Sequence, residues 1–134
     1  MIQAQAQRNK YLETTIQTAS PIQLLVMLCD GAVRFCKQGI EAMKNHQYED
    51  ANNYIVRVQN IVSEFVITLD RSSPMAEGLL KLYEYFNFRL IEANIKKDYT
   101  IVEEVQGYLM ELKETWIQAS KLAGSSATSG NKHG

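Results

Sequence analysis

Proline is nearly absent, with two in 134 residues, so little in the sequence interrupts long helices. Two cysteines cannot build a disulfide framework. On one helix, Cys29 and Cys36 would be separated by roughly 10 Å of rise, too far for a bridge. They read as free, buried thiols that act as small apolar residues. Histidine is equally scarce. Neither His46 nor His133 has a glutamate three residues before it, which removes the Glu-x-x-His pattern of a di-iron bundle. Nor do these residues supply four zinc ligands at workable spacing. His46 falls at an expected turn, a poor place for a phosphotransfer histidine. No glycine-rich phosphate loop or nucleophile motif occurs. The expectation is a protein that is not an enzyme and holds no cofactor or metal.

Charge is also unremarkable. A net charge of -1 provides no basic footprint for nucleic acid. The longest apolar run, Leu24 to Cys29, is far short of the ~20 residues of a membrane-spanning helix. The opening MIQAQAQRNKYLE lacks the apolar segment of a signal peptide. A cytosolic protein with no membrane insertion is expected.

Both prolines follow serine, as Ser20-Pro21 and Ser73-Pro74. A serine cap before a proline at the first helical position is a start signal. Gln23 completes a capping box with Ser20, and Thr100 with Glu103 marks a third start. A less marked start lies near Gln47. Four helices follow, at 21–44, 47–69, 74–96 and 101–122. Each carries an apolar stripe at helical spacing. The stripes are Leu25, Leu28, Ala32, Cys36, Met43; then Ala51, Ile55, Val58, Val62, Phe65, Leu69. On the third helix they are Leu79, Leu82, Tyr83, Phe86, Leu90, Ala93, and on the fourth Ile101, Val105, Tyr108, Leu112, Trp116, Ala119. Short connections make consecutive helices antiparallel. The expected fold is all-α: an up-down-up-down four-helix bundle over residues 20–122. A non-helical arm (1–19) precedes it, and a polar, disordered tail (123–134) follows. The arm carries Tyr11, Leu12 and Ile16, which a freely solvated segment would not need.

More apolar residues are present than four core stripes can use. Phe88, Ile91 and Ile95 form a second stripe on the third helix, opposite its first, with Leu80 alongside. Val56 and Ile67 point away from the second helix's seam, while Tyr54 and Ile61 widen one of its edges. Leu24, Met27 and Phe35 lie off the core stripe of the first helix. Isolated surface apolars are ordinary. A helix that is apolar on two faces, however, must be covered on two faces. The pattern favours a surface that receives an amphipathic or extended peptide. A bundle whose surplus apolar surface builds a homo-oligomer, a cofactor-free adaptor for another client, and a metal- or cofactor-holding bundle are the alternatives.

The segments TASPIQLLVMLCDGAVRF, VQNIVSEFVITLD, LYEYFNFRLIEANIKKD and VEEVQGYLMELKETW, preceded by Tyr11 and Ile16, resemble the FliS family of flagellar export chaperones. The resemblance covers roughly residues 11 to 119 and rests mainly on TASP-x-QLL-x-ML-x-DGA and LY-x-Y-x(3)-RL-x-x-AN. It implies a cytosolic chaperone that binds the C-terminal disordered segment of flagellin, prevents its premature polymerisation and keeps it competent for type III export. Export-gate or other flagellar regulatory proteins are further candidate partners, and the expected state is a monomer or weak dimer. The client would contact Leu24, Met27, Tyr54, Ile61, Leu80, Phe88, Ile91, Asn94 and Ile95. For Asn94, a hydrogen bond to client backbone and a local helix-end bond are both open. The resemblance also implies that the arm, anchored by Tyr11 and Ile16, covers the bundle as a lid until a client displaces it. Cys29 departs from the family, which commonly has an aromatic residue there.

Overall fold

The computed structural model describes the backbone of residues 20–133 and the side chains of residues 20–122. The expected lid anchors Tyr11 and Ile16 lie outside the described residues. Four helices follow in order: α1 (Pro21–Lys44), α2 (Tyr48–Thr68), α3 (Ala76–Lys96) and α4 (Tyr99–His133). Helix α1 packs on α2 and α4, and α3 packs on the same two neighbours. The helices therefore stand in chain order around a square. Residue pairs across the seams run in opposite directions: Asp30 with Lys113 and Val33 with Gln106, Asn52 with Asn94 and Gln59 with Asn87. The bundle is antiparallel, as short connections require.

Helix α1 starts as its sequence dictates. The Ser20 hydroxyl accepts from the Gln23 N–H at 3.2 Å, and the Ser20 N–H donates to Gln23 Oε1 at 3.0 Å. Two other starts differ from expectation. Ser73 and Pro74 form a turn instead of the first helical residues, and α3 begins at Ala76. Ser73 still accepts orphan donors, through Oγ from the Met75 N–H and through its carbonyl from Ala76 N–H. Thr100 is not the cap of α4. Asp98 takes that role, accepting both the N–H and the hydroxyl of Thr100 on Oδ1. A carboxylate is the stronger acceptor at a helix N-terminus, where the dipole favours negative charge. Two non-glycine residues adopt left-handed backbone at the tight connections, His46 (φ 57°) and Lys97 (φ 53°).

At its far end, α4 runs to His133, past residue 122, where the sequence reading ends the helix and begins a tail.

The core contains Ala32, Cys36, Ile55, Val58, Phe65, Tyr83, Phe86 and Leu90, close to the expected stripes. Phe65 stacks on Tyr83 with ring centroids 5.1 Å apart. On α4 one expected core residue is misplaced. Tyr108 is exposed, and Val102 and Leu109 are fully buried in its stead. Tyr108 rests on the outside of the α3–α4 seam against Tyr85 and Phe86, which keeps its hydroxyl in water while its ring packs.

Candidate partner-binding surface

The four seams of the bundle are closed by different chemistry. Between α3 and α4, Arg89 donates to Glu104 (2.7 Å) and to Glu92 (2.7 Å), and Lys96 reaches the other Glu92 oxygen at 2.7 Å. The Tyr85 hydroxyl also donates to Glu104. Two carboxylates hold the Arg89 guanidinium firmly protonated, and its bonds with Lys96 and Arg89 keep the Glu92 carboxyl below its usual range. Between α1 and α4, Lys113 reaches Asp30 at 3.0 Å and Gln106 donates to the Val33 carbonyl. Between α1 and α2, Gly31 faces the Ile61 side chain and Gly39 faces Tyr54, Ile55 and the Ala51 carbonyl, and Arg57 lies over the Phe35 and Tyr54 rings.

The α2–α3 seam is different. Among the described residues its side-chain hydrogen bonds are two neutral amide pairs, Gln59 to Asn87 at 3.1 Å and Asn94 to Asn52, and at one end the Lys97 ammonium lies over the Tyr48 ring. Two shallow clefts lie along this seam. One, of about 370 Å³, is lined by Ala51, Asn52, Asn94 and Ile95 near the α1–α2 turn. The other, also about 370 Å³, is lined by Val62, Ser63, Ile67, Tyr83 and Asn87. Val56 falls between Asn52 and Gln59 on one face of α2, and Ile91 falls between Asn87 and Asn94 on α3, by i, i+3/i+4 spacing. Phe88 and Ile95 form the adjoining outer ridge of α3. Exposure identifies the unusual residues: Phe88 is 65% accessible, Ile95 75%, Ile67 73% and Ile91 46%.

The sequence-derived set of partner-binding residues thus divides between two grooves on opposite sides of α2. Leu80, Phe88, Ile91, Asn94 and Ile95 belong to the α2–α3 side, where Leu80 is half-buried. Tyr54 and Ile61 face α1, half-buried against the core. A methyl placed on Gly39 would lie 3.5 Å from Tyr54 Cβ, and one on Gly31 would lie 3.6 Å from Ile61 Cδ1. Leu24 and Met27 are half-buried on α1. Leu24 lines a separate cleft with Pro21, Leu25 and Thr68. Asn94 pairs with Asn52 across the seam, so the local helix-end bond is not its partner.

Three residues of the α2–α3 groove were missed in the sequence: Asn52, Gln59 and Asn87. Their signal was present as amides spaced seven residues apart on each helix, Asn52 to Gln59 and Asn87 to Asn94. Seven residues are two helical turns, which places each couple on one face.

At one end of the bundle a cavity of about 200 Å³ is lined by Pro21, Leu25, Phe65, Leu79, Tyr83 and Trp116, among others. The Trp116 Nε1 is buried there with no hydrogen-bond partner among the described residues. The chain enters α1 at the rim of this cavity, through Pro21.

Burial pushes the thiols of Cys29 and Cys36 and the Tyr83 hydroxyl up to about 12. All three are neutral at physiological pH, and neither thiol has the thiolate character of a reactive cysteine. Among the described residues, no group of His, Cys, Asp and Glu is gathered as a metal site. No described helix is long and apolar enough to cross a membrane.

Comparison with known proteins follows the same residues. The family profile described as flagellar protein FliS matches residues 3–123, a span that includes both grooves. The flagellar secretion chaperone FliS of Bacillus subtilis (strain 168) is 33% identical over 109 residues, covering 81% of this chain and 82% of that protein. The flagellar secretion chaperone FliS of Salmonella typhimurium is 34% identical over 119 residues, 84% of this chain and 85% of the relative. The flagellar secretion chaperone FliSB of Pseudomonas aeruginosa is 31% identical over 107 residues, 78% and 85% of the two chains.

Proposed function

This chain belongs to the FliS family of flagellar secretion chaperones, and on that premise we propose that it binds the C-terminal segment of flagellin in the cytosol. Binding holds the subunit unpolymerised and competent for export until it joins the filament. The observation that carries this reading is the exposed apolar ridge of Phe88, Ile91 and Ile95, with Val56 and Ile67 across the α2–α3 seam.

The energetics allow an unfolded client. A segment that becomes ordered on a groove loses conformational entropy worth several kcal/mol. Each Phe or Ile that passes from water to full burial returns roughly 1.5–3 kcal/mol. Covering this ridge, together with matching client side chains, offsets the ordering cost. An interface of about 1,500 Å² is compatible with micromolar to nanomolar affinity, depending on its anchors. The α1–α2 groove with Leu24, Met27, Tyr54 and Ile61 extends the surface around α2, so a long client can wrap the helix. Residues 1–19 act in this scheme as a competing cover anchored by Tyr11 and Ile16. A cover that occupies the same surface lowers apparent affinity by the fraction of closed protein. Export-gate and other flagellar regulatory proteins are further partners under this reading.

Calorimetry tests it. Monomeric flagellin should bind one-to-one with a negative heat-capacity change, and flagellin lacking its C-terminal segment should not bind. Absence of binding by the intact monomer overturns the proposal.

A further inference from the structure

A client that is a C-terminal segment ends in a carboxylate, and that charge needs a place on the bundle. Laid on the apolar ridge without a counterion, it would oppose binding. Most cations near the grooves already face a carboxylate. Arg89 is held by Glu92 and Glu104, Lys96 by Glu92, and Lys113 by Asp30. Lys97 lies over the Tyr48 ring, and Glu49 lines the same cleft. Arg57 is different: among the described residues it pairs with no carboxylate, and its neighbours across the groove are also cations.

The Arg57 guanidinium lies 5.4 Å from the Phe35 ring centroid and 5.9 Å from that of Tyr54. Contact with two rings restrains a long side chain and shields part of it from water. The residue is still exposed, so N–H donors remain for an incoming acceptor. The register of the seam, Gly39 against Tyr54 and Gly31 against Ile61, brings Arg34 level with Arg57 from the α1 side. Arg34 approaches Asp30 at 3.4 Å, and Asp30 is shared with Lys113 at 3.0 Å. Lys37 stands one turn further along α1. Arg34, Lys37 and Tyr54 line a cleft of about 500 Å³. The acids of that cleft, Asp50 and Glu41, are about two helical turns nearer the α1–α2 turn than Arg57 and Arg34.

Resting on the chaperone reading above, we infer that Arg57, with Arg34 and Lys37 beside it, receives the client's C-terminal carboxylate in the α1–α2 cleft. A guanidinium offers a planar fork of donors that matches the two oxygens of a carboxylate. Contact with Phe35 and Tyr54 holds that fork in place before the client arrives, which lowers the entropy lost on binding. Tyr54 and Ile61 lie one turn to either side of Arg57 on α2, so the last apolar side chains of the client pack on them. A free carboxylate of this kind exists only at a chain end. The cleft therefore selects a terminal segment over an internal one of similar hydropathy, and it fixes the direction in which the client wraps α2. The ridge supplies affinity in this scheme, and Arg57 supplies specificity for the terminus.

The experiment uses the full chain and two synthetic peptides of the C-terminal segment of flagellin from the same organism. They are identical except that one ends in the free acid and the other in an amide. By calorimetry at low ionic strength, the wild type should bind the free acid about fivefold more tightly than the amide, and added salt should narrow the gap. Arg57→Gln should bring the acid down to the affinity of the amide, with helical circular dichroism retained. Arg57→Lys should restore only part of the preference, because an ammonium keeps the charge without the fork. Lys97→Gln should leave the preference in place. Equal affinity of the wild type for both peptides overturns the inference, even where a variant fails to fold. If that equal binding is still salt-sensitive, a side-chain carboxylate of the client is the charge being read. A preference that survives in folded Arg57→Gln, or that Lys97→Gln abolishes, also overturns it. Failure of the chaperone reading is distinct: neither peptide would then bind the wild type, and the inference would fall with its premise.

Discussion

Gly39 of α1 lies against Tyr54 of α2, so closely that a methyl group on Gly39 would be 3.5 Å from the Tyr54 Cβ. That distance is ordinary van der Waals contact, and the next neighbours, Ile55 Cγ1 and the Ala51 carbonyl, are at 3.8 and 3.9 Å. The seam therefore has room for one methyl and for little more. Gly39→Ala should stabilise the protein by up to about 1 kcal/mol, the difference in helix propensity. Gly39→Leu should destabilise it by forcing α1 and α2 apart, typically by 1–3 kcal/mol for an overpacked site. Urea unfolding followed by circular dichroism distinguishes the two. A destabilised Gly39→Ala variant would mean that the seam has no room for a methyl.

Acid should weaken the protein through two particular carboxylates. Hydrogen bonds from Lys96 and Arg89 hold Glu92 below its ordinary value, and the hydroxyl and N–H of Thr100 do the same for Asp98. A depressed folded pKa stabilises above the unfolded value and is lost as pH falls through the folded one. The urea midpoint should accordingly begin to fall near pH 4, the ordinary carboxylate range, and continue falling below it. Asp98→Asn and Glu92→Gln should start from lower midpoints at pH 7 and show a shallower acid decline. Parallel acid curves for wild type and both variants would contradict the assignment.

The buried thiols produce the opposite dependence. Cys29 and Cys36 are raised from an ordinary 9.0 to about 12 by burial. The unfolded chain ionises first, so the stabilisation is complete below pH 9 and disappears as pH rises towards 12. Cys29→Ala and Cys36→Ala should flatten this alkaline limb, leaving the part owed to Tyr83. In the native state at pH 8, iodoacetamide should label both cysteines far more slowly than in urea. Labelling at equal rates with and without urea would show that burial does not protect them.

The exposed ridge should tolerate charge in the absence of client. Phe88→Asp and Ile95→Asp should shift thermal unfolding only slightly, as expected for substitutions at accessible sites. The same changes should weaken flagellin binding tenfold or more by placing an unpaired charge in an apolar interface. Loss of the fold in either variant would identify the ridge as core.

Deleting residues 1–17 should strengthen flagellin binding if the arm and the client compete for the same surface. Titration of flagellin into the intact and shortened chains by calorimetry measures the difference. Weaker binding by the shortened chain would identify the arm as a contributor of contacts.

How much of this was legible beforehand depends on the range of each interaction. Helix existence, order and the capping box at Ser20 follow from residues within four positions of one another, so the sequence alone determined them. The surplus stripe of Phe88, Ile91 and Ile95 is likewise a matter of spacing on one helix, and these residues are exposed as that spacing implies. The starts of α3 and α4 were less legible, because Asp98 caps α4 by accepting from Thr100, which makes Thr100 a donor and not the cap, and Ser73-Pro74 can form a turn as readily as a first helical residue. Tyr108 was misread for a related reason. Its spacing suits the core, but Val102 and Leu109 fill that space without a hydroxyl to satisfy. Only the tertiary structure decided which surplus residues share a groove. Tyr54 and Ile61 turned towards α1 while Ile91 and Ile95 flanked α2, since a few tens of degrees around a helix axis assign a side chain to one seam or the other. The amide pairs depended on it most. Asn52 and Asn94 are 42 positions apart, and nothing local to either residue specifies the antiparallel register that makes them partners.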